Sequence, residues 1–165
     1  MDLDKPVPLV PLMGTVLFPG MMAPLTVGRS TSMAAALRAG RAPGGMLVMV
    51  AQRDANTNSP GPADLYSVGV VGRVCKLTRN ERSVDVLVES VDRVRVKAFH
   101  IDEHCVEVEV EHCPEAVDTE LEVEALQRSV MELATRVSPL ARVTGMDMTH
   151  VRAASGMSQI YQLAT

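Results

Sequence analysis

The chain opens with a long apolar stretch that is broken by turn-forming residues rather than by charges. No charged side chain occurs between Lys5 and Arg29, while prolines and glycines recur throughout this stretch. Proline lacks a backbone donor and is therefore typical of edge strands, turns and bulges. The pattern predicts short strands joined by stiff turns, one of them at Gly14. The predicted strands cover 7–13, 15–18 and 23–27.

A short helix and a buried strand are predicted next. Ser30 or Thr31 can cap the helix through a side-chain oxygen, and the helix should continue to Leu37. Gly40 is suited to end it in a left-handed conformation. After a turn, residues 46–51 form an unbroken apolar run, which predicts a strand that is buried on both faces.

The middle of the chain alternates between polar loops and strands. Residues 52–64 show no periodicity and many turn formers, which indicates a surface loop. A plain connector and a functional loop both remain open interpretations. Residues 66–77 and 84–90 are predicted as strands around a polar turn.

Two strictly alternating segments predict a hairpin. Residues 93–99 place basic side chains on one face, and residues 105–111 place acidic side chains on one face, with valines filling most of the opposite faces. An antiparallel pairing with its turn near Asp102 brings the two charged rows together, and cross-strand pairs of this kind stabilise a sheet. The predicted pairs are Arg93 with Glu111, Arg95 with Glu109, and Lys97 with Glu107.

A helical pattern begins after Pro114. Thr119 and Glu122 form a capping box, and a second helix is suggested over 148–163. We therefore expect two regions, a β-rich domain over 1–114 and a helical extension over 115–165. Since the pattern gives no stop signal before Thr165, we expect the front part of a longer polypeptide; the alternative is a short protein with a frayed end. The first helix carries a narrow apolar seam of coiled-coil type: Val123, Leu126, Val130, Leu133 and Val137.

Composition narrows the functional classes. The formal net charge is −4 and aromatic residues make up 2% of the chain, which argues against a broad nucleic-acid surface. The acidic first residues are not a signal peptide, and no apolar run is long enough to span a membrane. Three cysteines without motif spacing fit reduced thiols. We expect a cytoplasmic location, no membrane association and little nucleic-acid binding.

Motifs for catalysis or cofactor binding are absent from the sequence. It contains no phosphate-binding GxxxxGK[ST] loop, no GxSxG and no HExxH. One group of histidines and cysteines suggests zinc, but the predicted hairpin places its members at opposite ends, over ~20 Å apart. We therefore expect no catalytic residue, no metal site and no cofactor. The members of that group are His100, His104, Cys105, His112 and Cys113.

Several separated blocks carry a family resemblance. PLVPLMGTVLFPGMMAPLTVGRSTSMAAAL, MLVMVAQRD, PADLYSVGVVGRV and VDVLVESVDRVRV resemble, in order and spacing, the N-terminal substrate-binding domain of Lon-type ATP-dependent proteases. The resemblance covers roughly residues 6–137. The chain departs from the family at Met13, Gly14 and Gly20, which affects the chemistry of that turn rather than the fold.

The resemblance implies both a fold and a role. The expected fold class is α+β: a PUA-like, partly closed and mostly antiparallel β-sheet, a pseudo-barrel with one short helix, followed by a C-terminal helical segment. The implied role is to select and hold protein substrates. The ATPase module and the Ser–Lys endopeptidase module of such proteases are absent here, so this chain itself is expected to be non-catalytic.

One group of apolar residues is our candidate substrate-binding site. Leu87 is an apolar residue on the otherwise polar face of its strand, and the first strand and the proline-rich turn add further apolar side chains. Methionine adapts to varied partners, so such a surface suits exposed apolar segments of unfolded or damaged proteins. The candidate residues are Leu12, Met21, Met22, Pro24 and Leu87.

Three functions therefore remain in competition. The first is substrate recognition within a Lon-type protease, where binding would be weak for one copy and stronger in a homo-oligomer. The second is a free-standing adaptor or regulator built on the same domain. The third, favoured by the PUA-like fold but opposed by the acidic charge, is an RNA-binding module.

Overall fold

The computed structural model describes residues 5–101 and 105–114, together with five positions further along the chain. Contacts divide the chain into two compact units, Met1–Glu115 and Ala116–Thr165. In the second unit the described positions are helical, and Leu133, a member of the predicted seam, is exposed. The rest of the seam, the second predicted helix and the chain end lie outside the described residues. The five described positions of this unit are Arg128, Ser129, Glu132, Leu133 and Arg136.

The described residues of the first unit form six strands, one α-helix and a short 3-10 turn. The turn covers Pro62–Asp64, within the predicted loop. The other elements are β1 (Val7–Leu12), β2 (Met22–Val27), α1 (Ser30–Arg41), β3 (Met46–Ala51), β4 (Val68–Arg79), β5 (Val84–Ile101) and β6 (Val106–His112).

The strands form a ring that is completed by one long strand. The sheet order is β2-β5-β4-β3-β1-β6, and β6 also pairs with β5. All neighbours are antiparallel except β1 and β3. The long strand β5 serves two partners, because its first half pairs with β2 and its second half pairs with β6. The predicted α+β pseudo-barrel with one short helix is confirmed.

Two hydrophobic clusters lie on opposite faces of the central strands. The first contains the buried face of α1 with Leu47 and Met49 of β3, and the second contains Val48 and Val50 of the same strand. The prediction that 46–51 is buried on both faces is therefore confirmed. β5 contributes to both clusters, since Val86 packs in the first and Val94 in the second. In its first half, the side chains that alternate with the buried ones lie on the outer face of the sheet, and β2 continues this face on one side.

The start and end of α1 differ from the prediction. The N-cap is Arg29, and no side chain caps the helix, so the expected Ser30 or Thr31 cap is wrong. Gly40 does not end the helix, which continues to Arg41. A Cβ atom at Gly40 would lie 3.0 Å from Leu77 Cδ1. Glycine is used there for the close approach of the helix to β4 rather than for a left-handed turn.

The region after β1 is irregular rather than a strand. The predicted strand over 15–18 is wrong, because β1 ends at Leu12 and no strand begins before Met22. Gly14 and Gly20 adopt φ values of 61° and 80°, which side-chain-bearing residues rarely adopt. The two glycines redirect the chain, and this allows Leu17 between them to pack into the first cluster.

The hairpin register is shifted from the prediction, by two residues at Arg95 and by three residues on the other side of a bulge, toward Ile101. Arg95 is opposite Glu111 rather than Glu109, and a bulge between Val96 and Ala98 leaves Lys97 unpaired in the ladder. The bulge inserts one extra residue into β5, which simple alternation of charges cannot reveal. Glu111 therefore contacts two cations, with N–O distances of 3.8 Å to Arg95 Nε and 3.6 Å to Lys97 Nζ.

Candidate substrate-binding site

The edge strand β2 presents apolar side chains on both of its faces. Ala23 and Val27 point inward and are buried, while Met22 and Pro24 are exposed on the opposite face. Within the described part of the sheet β2 has β5 as its one neighbour, so its other edge is open. Proline is tolerated at such an edge because no ladder hydrogen bond is lost there.

Leu87 lies beside these exposed residues on the outer face of the sheet. The register pairs Pro24 with Leu87 and Met22 with Glu89. Met22 is 59% exposed and Leu87 is half-buried. We call Met22, Pro24 and Leu87 the outer-face patch. The structure thus brings together three of the five residues that the sequence proposed.

Polar and charged residues surround the outer-face patch. Lys76 of β4 is opposite Leu87 on the side away from β2, and Asp85 and Glu89 flank Leu87 along β5. Asp85 accepts hydrogen bonds from Asn80 Nδ2 and Thr26 Oγ1, both at 2.8 Å. These two bonds, the Asn80 bond first, lower the pKa of the Asp85 carboxyl below its ordinary value. Asp85 is therefore ionised at neutral pH, and the border of the patch carries both negative and positive charges.

The other two candidate residues lie elsewhere. Leu12 is only 6% exposed and packs in the first cluster with Val86, so it is on the inner side of the sheet and not beside Leu87. Leu12 is buried because both faces of β1 are covered, one of them by α1. Met21 is half-buried in the turn before β2, where its carbonyl accepts a hydrogen bond from Ser90 N at 2.8 Å.

Leu12 instead contributes to a cleft beside the edge strand. This cleft has a volume of about 560 Å³ and lies between the end of β1 and the strand β2. Leu12 and Pro24 both line it, although the two residues belong to different sides of the sheet. The wall of the cleft continues to Arg29 at the beginning of α1.

Arg29 is a notable residue that the sequence reasoning missed. Its guanidinium donates to Gln52 Oε1 at 2.6 Å and to the Thr57 carbonyl at 3.0 Å. Buried Gln52 donates to the same carbonyl at 3.0 Å, so the two side chains hold the loop after β3. One signal was available in the sequence: Arg29 is the first charge after the apolar stretch.

The histidines and cysteines near the hairpin have other partners. His100 Nε2 lies 2.8 Å from Glu109 Oε1, and His112 Nε2 lies 2.8 Å from Asp92 Oδ2. Cys105 is buried. Among residues 5–101 and 105–114, no three histidine, cysteine or acidic side chains converge as metal ligands. His104 lies outside the described residues.

Membrane insertion receives no support from the described helices. None of them combines the length and the apolar composition that a bilayer crossing requires.

Comparison with known proteins identifies the family. The model of the ATP-dependent protease La (LON) substrate-binding domain matches residues 6–164. The chain belongs to this family. It is 35% identical over 135 residues to a Lon protease of Nitrosococcus oceani, covering 82% of this chain and 18% of that protein. It is 38% identical over 155 residues to Lon protease 1 of Myxococcus xanthus, covering 86% and 19%.

Solved Lon N-terminal domains share the fold. The N-terminal domain of the Mycobacterium avium complex Lon protease superposes with a TM-score of 0.66 at 22% identity, covering 90% of this chain and 75% of that one. The Lon N-terminal domain protein of Xanthomonas campestris gives a TM-score of 0.56 at 22% identity, covering 78% and 72%. The chain spans less than a fifth of the length of the two Lon proteases above.

Proposed function

We propose that this chain recognises exposed apolar segments of unfolded or damaged proteins through the outer-face patch. The single observation that carries the proposal is the position of Leu87. It is an apolar side chain on the polar face of β5, and it lies next to Pro24 and close to the exposed Met22. Native proteins bury the segments that such a patch would contact, so the patch discriminates by exposure rather than by one sequence.

Membership of the family supports a proposal about the longer protein in which such a domain works. We propose that the chain works as the non-catalytic recognition part of a Lon-type, ATP-dependent Ser–Lys endopeptidase in the cytoplasm. Other modules would then unfold and cleave the bound protein. The support is the family membership and the relatives named above, which are several times longer than this chain.

The size of the patch implies weak binding by a single copy. Burial of one apolar side chain contributes about 1.5–3 kcal/mol before the entropy of association is subtracted. Three side chains, one of them already half-buried, therefore leave little net affinity. Several copies in a homo-oligomer would present several patches to one unfolded chain, and this multivalency would raise the apparent affinity.

A comparison of unfolded and native forms of one protein tests this function. The probe is a reduced and carboxymethylated globular protein, and its control is the same protein in native form. We expect the 165-residue chain to bind the unfolded form weakly in fluorescence anisotropy. We expect no binding of the native form, and tighter binding when the chain is displayed in several copies on one scaffold. Equal binding of both forms would contradict the proposal.

A further inference from the structure

A second site lies at the beginning of α1, beside a cleft whose wall also includes Pro24 of the outer-face patch. The first backbone bond of the helix runs from Met33 N to Arg29 O at 2.8 Å. The amides of Ser30, Thr31 and Ser32 precede that bond and have no acceptor within the helix. The first turn contains no acidic side chain, and no side chain caps it. The positive end of the helix dipole is therefore not neutralised by the helix itself.

Arg29 adds a full positive charge at the same point. It is half-buried, and its guanidinium donates to three neutral acceptors: Gln52 Oε1, the Thr57 carbonyl and Met13 Sδ, the last at 2.7 Å. None of these acceptors is a carboxylate, and in the described part of the chain Arg29 forms no ion pair. Its charge is thus held in place by hydrogen bonds but not compensated.

Ser32 supplies an independent observation. It is only 4% exposed, and it lines the cleft beside β2. No hydrogen bond joins its hydroxyl to another protein atom across the described residues. Among the described residues Ser90 Oγ is the one fully enclosed side-chain polar atom without a partner, so the unpartnered Ser32 hydroxyl is open to the cleft. There it can form a hydrogen bond with a ligand.

Apolar walls lie on both sides of Arg29 and the first turn of α1. The cleft beside β2 contains Met13 and Leu25, and a second cleft of about 510 Å³ contains Phe99 and Ile101. Met13 and Ile101 are exposed, so these walls offer accessible apolar surface. Arg29 and Ser32 line both clefts, so they lie where the two meet. An isolated inorganic anion would leave these apolar walls uncovered. A carboxylate attached to an apolar chain matches both the charge and the walls.

We propose that the junction of the two clefts binds the C-terminal carboxylate of an apolar polypeptide segment. The amides of the first turn of α1, Arg29 and the Ser32 hydroxyl would donate to the carboxylate, and the segment would lie against the apolar walls. The terminal carboxylate is the one anion that an otherwise uncharged segment carries. The inference rests on the proposed function in one respect, namely that the ligand is a polypeptide.

A pair of peptides tests this site on the full chain. Both are the N-acetylated tetrapeptide Leu-Val-Ala-Leu, one with a free C-terminal acid and the other with a C-terminal amide. A charge-assisted hydrogen bond is about twice as strong as a neutral one. We therefore expect the acid to bind about tenfold more tightly than the amide in calorimetric or NMR titrations. Equal affinity of the two peptides, or binding of neither, would overturn the inference.

Three variants locate the effect. Arg29→Gln should bring the ratio of the two affinities close to one, and Ser32→Ala should lower it about threefold. Ser32→Ala leaves the loop contacts of Arg29 intact, so it remains informative if Arg29→Gln disturbs the loop. Arg41→Gln, which removes a charge from the other end of the same helix, is the matched control and should leave the ratio unchanged. An undiminished preference for the acid in both Arg29→Gln and Ser32→Ala would contradict the proposed site.

The two proposals can fail separately. If the chain binds unfolded protein but does not prefer the peptide acid, the carboxylate site is refuted and the outer-face patch stands. If the acid is preferred but unfolded protein does not bind, the carboxylate site stands and the proposed function fails. Leu87→Asp should not alter the ratio of acid to amide affinity, because Leu87 is not among the residues that line either cleft.

Discussion

Replacing Leu87 with aspartate is expected to weaken binding of unfolded protein by about tenfold or more. The change removes one of the three apolar side chains of the outer-face patch, and full burial of a leucine contributes about 1.5–3 kcal/mol. It also adds a third carboxylate between Asp85 and Glu89, so an approaching apolar segment would have to desolvate a charge. Fluorescence anisotropy with the carboxymethylated protein measures the loss.

The fold should tolerate this substitution because Leu87 is on the outer face of β5. A circular dichroism spectrum and a urea unfolding curve establish that the variant is folded. Val91→Asp is the matched control, since Val91 is a 40% exposed apolar residue of the same strand that lies outside the patch. Unchanged binding by a folded Leu87→Asp variant, or an equal loss in Val91→Asp, would remove Leu87 from the site.

Replacing Gly69 with alanine is expected to destabilise the fold by about 3 kcal/mol, near the upper end of the range for overpacked cores. A Cβ atom at this position would overlap the Met49 carbonyl oxygen and lie 2.7 Å from Val50 Cγ2. The carbonyl belongs to the backbone of β3, the strand that is buried on both faces, so it cannot move without disturbing both clusters. Urea unfolding monitored by circular dichroism measures the change in the free energy of unfolding.

Gly28→Ala provides the control for the Gly69 prediction. At Gly28 the nearest atom to an added Cβ is the Arg82 carbonyl oxygen at 3.9 Å, which is an ordinary contact. We expect the free energy of unfolding of this variant to stay within about 0.5 kcal/mol of the original. If Gly69→Ala were as stable as Gly28→Ala, the close packing of β4 on β3 described above would be wrong.

The sequence predicted the sheet well where one simple pattern determined the structure. Alternation along 84–89 predicted Leu87 on the otherwise polar face of its strand, and on the opposite face Val84, Val86 and Val88 are buried. The unbroken apolar run of 46–51 indicated a strand covered on both sides, which β3 is. In both cases the burial of each side chain follows directly from its position along the strand.

Other features depend on contacts that are distant in the chain. The bulge at Lys97 changes the hairpin register by one residue, yet the charges alternate on both sides of it without interruption. Gly40 lies where Leu77 approaches the helix closely, and Leu77 lies far along the sequence. No local pattern around either residue contains this information.

The placement of the five candidate residues depends on the same kind of contact. Pro24 and Leu87 are neighbours because β2 pairs with β5, and this pairing joins segments that are distant in the chain. Leu12 was assigned to the same surface because β1 is apolar on both faces. The sequence does not tell which face of such a strand is covered, and here both are. Arg29 and Ser32 become prominent only when β1, α1 and the loop after β3 are brought together.

The most direct test of the outer-face patch is to observe its side chains during binding. Methyl NMR spectra of the chain can be recorded with the carboxymethylated protein and with its native form. We predict that the Met22 and Leu87 methyl signals shift or broaden with the unfolded form alone, while the methyl signal of buried Met49 stays in place. Unchanged Met22 and Leu87 signals at saturating unfolded protein would contradict the proposal that this patch recognises it.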